Sequence, residues 1–282
     1  MTLVAILGAG EIGGAAARAL AARGRVDVVR LIDERADVAA GKALDLRQAG
    51  PIGGSDTQVE GLGDYAAAAG AAAIILADPA GSGGEWSGES GLTLLGRLNR
   101  LGCLGQSVLV CGGANHRTLM QQSIDELGLP RRRVIGAAPE ALAATARALV
   151  AIEAKASSSQ VALTVIGRPP DRMVVPWAES SIGGHSAVSL LSAAQLQLLD
   201  SRLRGLWPPG PGALGTAAAL FTEAVVTGSR RLFSAFVSLD RDNGTRAPVT
   251  AWSVWIGSTG LEQVAAFSLT GRERVVVDEV LE

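Results

Sequence analysis

Residues 3–13 of this chain read Leu-Val-Ala-Ile-Leu-Gly-Ala-Gly-Glu-Ile-Gly. The first five residues form a short continuous apolar run, as in a strand that helices cover on both faces. The three glycines that follow have the spacing of the loop that joins a strand to a helix in dinucleotide-binding folds. There the glycines permit a tight turn, close approach of the backbone to a pyrophosphate, and close packing of the helix on the strand. The stretch predicts a parallel α/β fold with an anion-binding helix N-terminus.

An acidic residue stands where this kind of motif needs one. A second apolar run, residues 26–32, is followed by Asp33, which lies 20 residues after Gly13. A carboxylate there accepts hydrogen bonds from an adenosine ribose and repels a 2′-phosphate, so the sequence favours NAD over NADP. The expected cofactor-binding residues are Gly8, Gly10, Glu11, Ile12, Gly13 and Asp33. The alternative is a tight strand-to-helix turn that binds nothing.

One residue argues against a bound dinucleotide. Asp78 follows the fourth apolar run, at the carboxyl edge of the predicted sheet, where the ribose and pyrophosphate of a cofactor would pass. A carboxylate close to a diphosphate is unfavourable unless water solvates it. Either Asp78 hinders cofactor binding or it is a solvated loop residue, and the sequence leaves both open.

Apolar runs alternate with alanine-rich stretches up to about residue 136, which is typical of a Rossmann-type, doubly wound parallel sheet. The second half mixes helices and strands and predicts an α+β unit. We therefore predict a dinucleotide-binding domain of residues 1–138 and an α+β domain of residues 139–282. The expected strands are residues 3–7, 26–32, around 59, 74–76, 107–110, 134–135, 161–166, 233–239, 249–255 and 263–269. The expected helices of the second half are residues 140–151, a helix opened by Ser192, and residues 214–226, with a turn at 242–244.

Composition and charge narrow the function classes. The 282 residues include 25 basic and 27 acidic side chains, a balance that gives no electrostatic footprint for nucleic acid or an anionic membrane. The N-terminal apolar run is too short for a secretion signal or a spanning helix, so we expect a cytoplasmic protein. No grouping of His, Cys and carboxylates has metal-ligand spacing, so we expect no metal. The sequence also lacks a Gly-x-Ser-x-Gly elbow and a P-loop lysine, which leaves hydrolases and phosphotransferases without support.

A segment after the second strand is more specific than the glycines. Residues 40–49 read Ala-Gly-Lys-Ala-Leu-Asp-Leu-Arg-Gln-Ala and closely resemble the segment that follows the second strand in lactate and malate dehydrogenases. The resemblance continues through residues 64–66, 133–136, 165–167, 171, 173–174, 181–184 and 215–217, and so covers essentially the whole chain. It implies NAD-dependent oxidoreductase chemistry on a CH-OH group in a homodimer or homotetramer. It also implies a long final helix, most of which we expect this sequence to lack.

The same resemblance implies a catalytic site whose residues do not occur here. In the family a histidine, oriented by an aspartate, exchanges a proton with the substrate hydroxyl while arginines clamp the substrate carboxylate. The histidine of the family's Gly-x-His-Gly-Asp-x-Met-Val pattern is replaced by Pro169, and the next glycine by Pro170. An ungapped alignment from residue 134 places the family's aspartate on Leu142 and its arginine on Thr145, and a one-residue slip places alanines there.

Two further substrate-binding segments of the family are altered. Residues 78–91, which carry arginines in the family, contain no basic residue, and Gly112-Gly113 replaces an Asn-Pro pair. Because a general base alone contributes roughly 10²–10⁴-fold to a rate, we predict that the chain is not a working malate or lactate dehydrogenase. The remaining weak candidates for a catalytic role are His185, Asp171 and Arg147, with His116 a fourth, and each has an ordinary structural role as its alternative.

Three functions stay open at the level of sequence. The first is a divergent NAD-dependent oxidoreductase with another substrate. The second is a non-catalytic homologue that binds a dinucleotide. The third is a structural interaction protein that keeps the fold without a working site. The glycine motif and Asp33 argue against the last of these. The altered substrate pocket argues against the first, because function depends on the site and not on the fold.

Overall fold

The computed structural model of the chain describes residues 1–240 and 248–281. Its N-terminal part is a parallel sheet whose strands lie in the order β3-β2-β1-β4-β5-β6, with the order reversing between β1 and β4. This is the doubly wound α/β arrangement that the sequence predicts. The strands are β1 (Leu3–Leu7), β2 (Val28–Ile32), β3 (Gln58–Leu62), β4 (Ala73–Leu76), β5 (Val108–Cys111) and β6 (Val134–Gly136). The helices between them are α1 (Glu11–Arg23), α2 (Ala36–Gly53), α3 (Gly88–Arg100) and α4 (Arg117–Asp125).

The remaining elements extend this sheet and add a small second one. The helices are α5 (Ala138–Glu153), α6 (Ala187–Leu190), α7 (Ala193–Arg204), α8 (Pro211–Thr227) and α9 (Gly271–Leu281). The strands are β7 (Val161–Ala162), β8 (Ile166–Arg168), β9 (Arg172–Val174), β10 (Ser181–Ile182), β11 (His185–Ser186), β12 (Arg231–Val237), β13 (Thr250–Gly257) and β14 (Gly260–Val264). Strand β12 pairs antiparallel with β6 and leads to β13, β8 and β9. Strands β7, β10 and β11 form the separate three-stranded sheet.

Two predicted strands are wrong in their extent. The run 161–166 divides: residues 161–162 pair with β10, whereas residue 166 begins β8 in the large sheet. Val161, Leu163, Val165 and Ile166 are all buried, on both sides of the break, so an apolar run does not reveal it. The strand predicted at 263–269 lies earlier, since β14 pairs with β13 directly after a tight connection between Gly257 and Gly260. The turn predicted at 242–244 lies outside the described residues.

The hydrophobic core does not follow the predicted domain boundary. One buried cluster contains residues from 4 to 141 together with residues from 214 to 261, and a second contains residues from 142 to 207. Helix α8 packs so closely on α1 that a Cβ added to Gly215 would collide with the carbonyl oxygen of Ile12. The division at 138/139 stays a prediction, and the main core is shared between both sides of it.

No helix within residues 1–240 and 248–281 combines the length and apolar character needed to cross a lipid bilayer.

Candidate functional site

The glycine loop has the strand–turn–helix geometry that its sequence predicts. Gly8 follows β1 with φ of +103°, a conformation that residues with side chains rarely adopt, and its amide donates to the carbonyl of Ile32 at 2.8 Å. A Cβ on Gly13 would collide with the carbonyl oxygen of Gly8, so only glycine lets α1 lie this close to the end of β1. Ile12 points into the core, whereas Glu11 is exposed.

The first amides of α1 already have acceptors within the chain. Gly10 precedes the helix and has no side chain to cap it, so these amides need partners from elsewhere. Asp78, directly beyond β4 and Ala77, accepts from the amide of Glu11 at 2.8 Å and from that of Gly13 at 3.0 Å. Its carbonyl oxygen also accepts from the amide of Gly10 at 2.8 Å. Asp78 is therefore not the freely solvated loop residue that the sequence left open.

Asp33 is also fully engaged with the backbone. Its side chain is 1% exposed and accepts hydrogen bonds from the amides of Ala9 at 2.7 Å, Ala80 at 2.8 Å and Arg35 at 2.9 Å. These bonds join the loops after β1, β2 and β4. The carboxylate expected for a ribose thus holds three loops of the sheet edge together.

Lys42 adds a contact that the sequence analysis did not anticipate. It belongs to the segment that most resembles the dehydrogenases, and its Nζ donates to the carbonyl oxygen of Gly10 at 2.6 Å. The segment on α2 therefore supports the glycine loop directly. A positive charge at this place also favours an anion at the N-terminus of α1.

The loop after β5 receives a second carboxylate. Glu85 accepts from the amides of Ala114 at 2.8 Å and Asn115 at 2.7 Å, in the stretch that begins with Gly112-Gly113. Backbone amides pair with both oxygens of this carboxylate, so Glu85 is held against the loop after β5. A Cβ on Gly113 would collide with the Glu85 carboxylate, which explains why a glycine fits at this position.

His116 begins the turn into α4 and is fully buried. Its Nδ1 accepts from the amide of Gly113 at 3.1 Å, and within the described residues its Nε2 has no partner. Burial lowers the pKa of His116 to about 4. The side chain is therefore neutral at pH 7 and fixes the loop by accepting a backbone hydrogen bond.

The positions that the resemblance aligns with the catalytic residues of the family hold apolar or helix-bonded side chains. Pro169 lies in the turn between β8 and β9 and has no group that titrates. Leu142 is completely buried in α5, and the hydroxyl of Thr145 donates to Ala141 one turn earlier in the same helix. Neither Leu142 nor Thr145 offers a charge to a substrate.

The three weak catalytic candidates lie in different settings. Arg147 Nη2 pairs with the carboxylate of Glu140 at 2.6 Å, and Glu140 also accepts from the amide of Ser234. Asp171 is exposed in the turn after Pro170, and His185 is exposed on β11. Within residues 1–240 and 248–281, no hydrogen bond or ion pair joins any two of the three. The structure gives Arg147 a structural partner, and the catalytic roles of all three stay predictions.

A group of arginines near the β8–β9 turn escaped the sequence analysis. Arg168 donates from Nη2 to the carbonyl oxygen of Val280, in the last turn of α9, at 2.6 Å. Burial and the positive charges of Arg117 and Arg172 lower the pKa of Arg168. Arg168 and Arg172 pair across the β8–β9 turn, but Arg117 is far from both in the sequence, so no local pattern signals that its charge lies near theirs. In the sequence, Arg168 draws attention only because it stands directly before Pro169.

Comparison with known proteins agrees with this geometry. Residues 2–96 match the model of the lactate/malate dehydrogenase NAD-binding domain. The malate dehydrogenase of Thermomicrobium roseum is 29% identical over 288 residues, which cover 97% of this chain and 93% of that protein. These matches support membership of the lactate/malate dehydrogenase superfamily.

Solved structures of the superfamily share the fold over its full length. The malate dehydrogenase of Salinibacter ruber superposes with a TM-score of 0.87 at 23% identity, covering 99% of this chain and 94% of that one. The lactate dehydrogenase of Cryptosporidium parvum, solved with lactic acid and nicotinamide adenine dinucleotide, has the same TM-score at 22% identity, with coverage of 99% and 94%. The Rossmann prediction and the resemblance are both confirmed.

The NAD prediction is confirmed at the level of the domain, because residues 2–96 belong to the NAD-binding domain of this superfamily. The hydrogen bonds of the site do not fit a bound dinucleotide as they stand. The amides of Glu11 and Gly13 that would meet a pyrophosphate are paired with Asp78, and the carboxylate of Asp33 is paired with backbone amides. A dinucleotide fits only if residues 78–80 move away from these partners.

Proposed function

We propose that this protein binds NAD through Gly8, Gly10, Glu11, Ile12, Gly13 and Asp33 but does not catalyse the standard oxidation of malate or lactate. The match of residues 2–96 to the NAD-binding domain supports the first part. The observation that carries the second part is Pro169, the first residue of the turn that joins β8 and β9. A proline cannot take a proton from a substrate hydroxyl.

Two further features support the loss of this activity. Leu142, on helix α5, is an apolar residue that is completely buried, so this position provides no carboxylate to orient a base. Thr145 bonds to its own helix and brings no positive charge to a substrate carboxylate. A general base alone raises a reaction rate roughly 10²–10⁴-fold. Loss of the base, of the acid that orients it and of the arginine that binds the substrate carboxylate therefore leaves little rate enhancement.

The test is a spectrophotometric assay of NADH with malate, oxaloacetate, lactate and pyruvate. We expect turnover at least about 10²-fold below that of a superfamily member that retains the histidine. A malate dehydrogenase assayed in parallel is the positive control. Robust turnover of any of the four acids by the pure chain would show that another group has taken over the proton transfer.

The cofactor part is tested by calorimetric titration with NAD⁺ and NADH, with NADP⁺ as the control for Asp33. Saturable binding of NAD(H) but not of NADP⁺ is expected, because a carboxylate at this position repels a 2′-phosphate. If the chain binds neither cofactor at millimolar concentration, the result favours a structural interaction protein, the third of the functions that the sequence allows.

A homodimer or homotetramer and a cytoplasmic location complete the proposal. Both rest on the resemblance to the dehydrogenase family and on the near-neutral charge of the chain. Light scattering of the purified protein tests the oligomeric state.

A further inference from the structure

Residues 78–87, which we call the strap, connect β4 to the helix α3 and cross the carboxyl edge of the parallel sheet. In open α/β sheets, ligands bind at this edge, at the point where the strand order reverses. The order reverses here between β1 and β4. The strap therefore starts at the position where the fold places a ligand.

The first anchor of the strap is an anion at the N-terminus of α1. Both carboxylate oxygens of Asp78 are used, since Oδ2 accepts from Glu11 and Oδ1 from Gly13. A phosphate bound at a helix N-terminus uses the same kind of donor, and the partial positive charge of the helix end favours either anion. Two anions cannot share these amides, so a pyrophosphate has to displace Asp78.

The glycine motif itself is shaped around this internal anion. A Cβ on Gly10 would collide with the Asp78 carboxylate, and a Cβ on Gly8 would collide with the Asp78 carbonyl oxygen. Close approach of the backbone, which glycine permits for a pyrophosphate in other members of this fold, is used here by the chain's own segment. The motif is therefore satisfied without any bound dinucleotide.

Two more anchors hold the strap over the rest of the edge. The amide of Ala80 donates to Asp33 at 2.8 Å, which ties the strap to the carboxylate expected to bind ribose. Farther along the chain, Glu85 accepts hydrogen bonds from the amides of Ala114 and Asn115, which follow β5. Charged acceptors make each of these hydrogen bonds stronger than a neutral pair. The three anchors tie the two ends of the strap to the segments that follow β1, β2 and β5.

We propose that the strap is a built-in occupant of the cofactor cleft, with the carboxylate of Asp78 standing in place of the dinucleotide pyrophosphate. NAD binds only to the fraction of molecules in which the strap is released, so the apparent Kd is the intrinsic Kd divided by that fraction. This inference rests on the proposed NAD-binding function. NAD binding then depends on whether residues 78–87 are released from the cofactor cleft.

The experiment compares NADH binding to the full chain with binding to Asp78→Ala, Asp78→Asn and Glu89→Ala. Asp78→Ala frees the amides of α1 and removes the competing charge, so we expect its Kd to fall about tenfold or more. Asp78→Asn keeps the size and one acceptor oxygen without the charge, so its Kd falls less. Glu89 is exposed in the first turn of α3, just beyond the strap, and its substitution removes one negative charge while the amide contacts of Asp78 stay.

Inorganic pyrophosphate is titrated into the same four proteins, because it probes the amides without any contact to Asp33 or to the domain interface. We expect pyrophosphate to bind Asp78→Ala and not the original chain. If NADH fails to bind any variant but pyrophosphate binds Asp78→Ala, the proposed NAD function is wrong and the internal anion is supported. If Asp78→Ala unfolds, the isosteric Asp78→Asn decides, since it preserves the shape of the loop.

Two results overturn the inference. The first is an equal Kd for NADH in the original chain, Asp78→Ala and Asp78→Asn. This result would mean that release of the strap costs no free energy. The second is an equal gain for Glu89→Ala and Asp78→Ala, which would reduce the effect to general electrostatics. Thermal unfolding of each variant confirms that the compared proteins are folded.

Discussion

Carboxylates of this chain act mainly on the backbone at the edge of the sheet. Asp33 accepts from amides of three loops, which follow β1, β2 and β4, whereas Asp78 and Glu85 each accept from two amides of one segment. An unpaired buried amide costs about 1–3 kcal/mol, so each of these side chains stabilises the loop it reaches. Their residue type and approximate place follow from the sequence. Most of their partners do not, because the partners of Asp33 and Asp78 other than Arg35 are 24 to 67 residues away in the chain.

The buried His116 makes stability depend on pH. Its pKa is lowered to about 4 by burial, whereas a histidine in the unfolded chain titrates near 6.5. Between these values the unfolded state binds more protons, so the free energy of unfolding falls as the pH falls from about 6.5 to about 4. The loss from this residue reaches about 3 kcal/mol at most, and above pH 6.5 it disappears.

This is checked by urea unfolding at several pH values between 4 and 8 for the original chain, His116→Gln and His185→Gln. Glutamine keeps an acceptor for the amide of Gly113 but does not titrate, so we expect His116→Gln to lose part of the decline on the acid side. His185 is exposed and serves as the matched control. Parallel pH profiles for all three proteins would contradict the role of His116.

At the scale of elements, local pattern and tertiary contact agree for most of the chain. Strand β1 has the predicted bounds of Leu3–Leu7, and α7 begins after Ser192 with the predicted capping box to Gln195. The prediction for the run 161–166 fails because residue 166 begins β8, which pairs with β9 and with the distant strand β13, whereas residues 161–162 belong to the small sheet. A short apolar run carries no signal about which sheet receives it.

Two helical glycines should respond to alanine in opposite directions. Alanine is the better helix former by about 1 kcal/mol, and Gly41 in α2 is exposed with no atom close to a new Cβ, so Gly41→Ala should stabilise by about 0.5–1 kcal/mol. Gly13 in α1 faces the carbonyl of Gly8, so Gly13→Ala should destabilise by about 1–3 kcal/mol despite its better propensity. Thermal and urea unfolding measure both. Stabilisation by both substitutions would mean that α1 can shift away from β1 without loss.

At the scale of the whole molecule, the two halves of the chain share one core. Strand β6 pairs with β12, and side chains of α8 such as Phe221 are completely buried in the cluster that also contains the β1 residues. A fragment of residues 1–138 would expose this apolar surface and an unpaired edge of β6. The shared core makes cooperative folding of the entire chain the expected behaviour.

We therefore expect the fragment of residues 1–138 to unfold in urea with a broad transition and to bind the dye ANS, whereas the full chain unfolds sharply. The apolar area that α8 and β12 cover in the full chain stays in contact with water in the fragment, at about 25 cal/mol per Å². Circular dichroism and dye fluorescence provide the measurement. A sharp two-state transition of the fragment without dye binding would show that the boundary predicted at 138/139 separates independent folding units.

The parallel α/β fold, the glycine loop and the resemblance to lactate and malate dehydrogenases follow from the sequence alone, because they are properties of local pattern and residue identity. The hydrogen bonds of Asp78 and Glu85 to amides across the sheet edge, the three loops joined by Asp33, and the proximity of the Arg117 and Arg168 charges depend on the tertiary structure. These contacts join residues distant in the chain, and a hydrogen bond depends on distances of a few tenths of an ångström that spacing along a sequence does not encode.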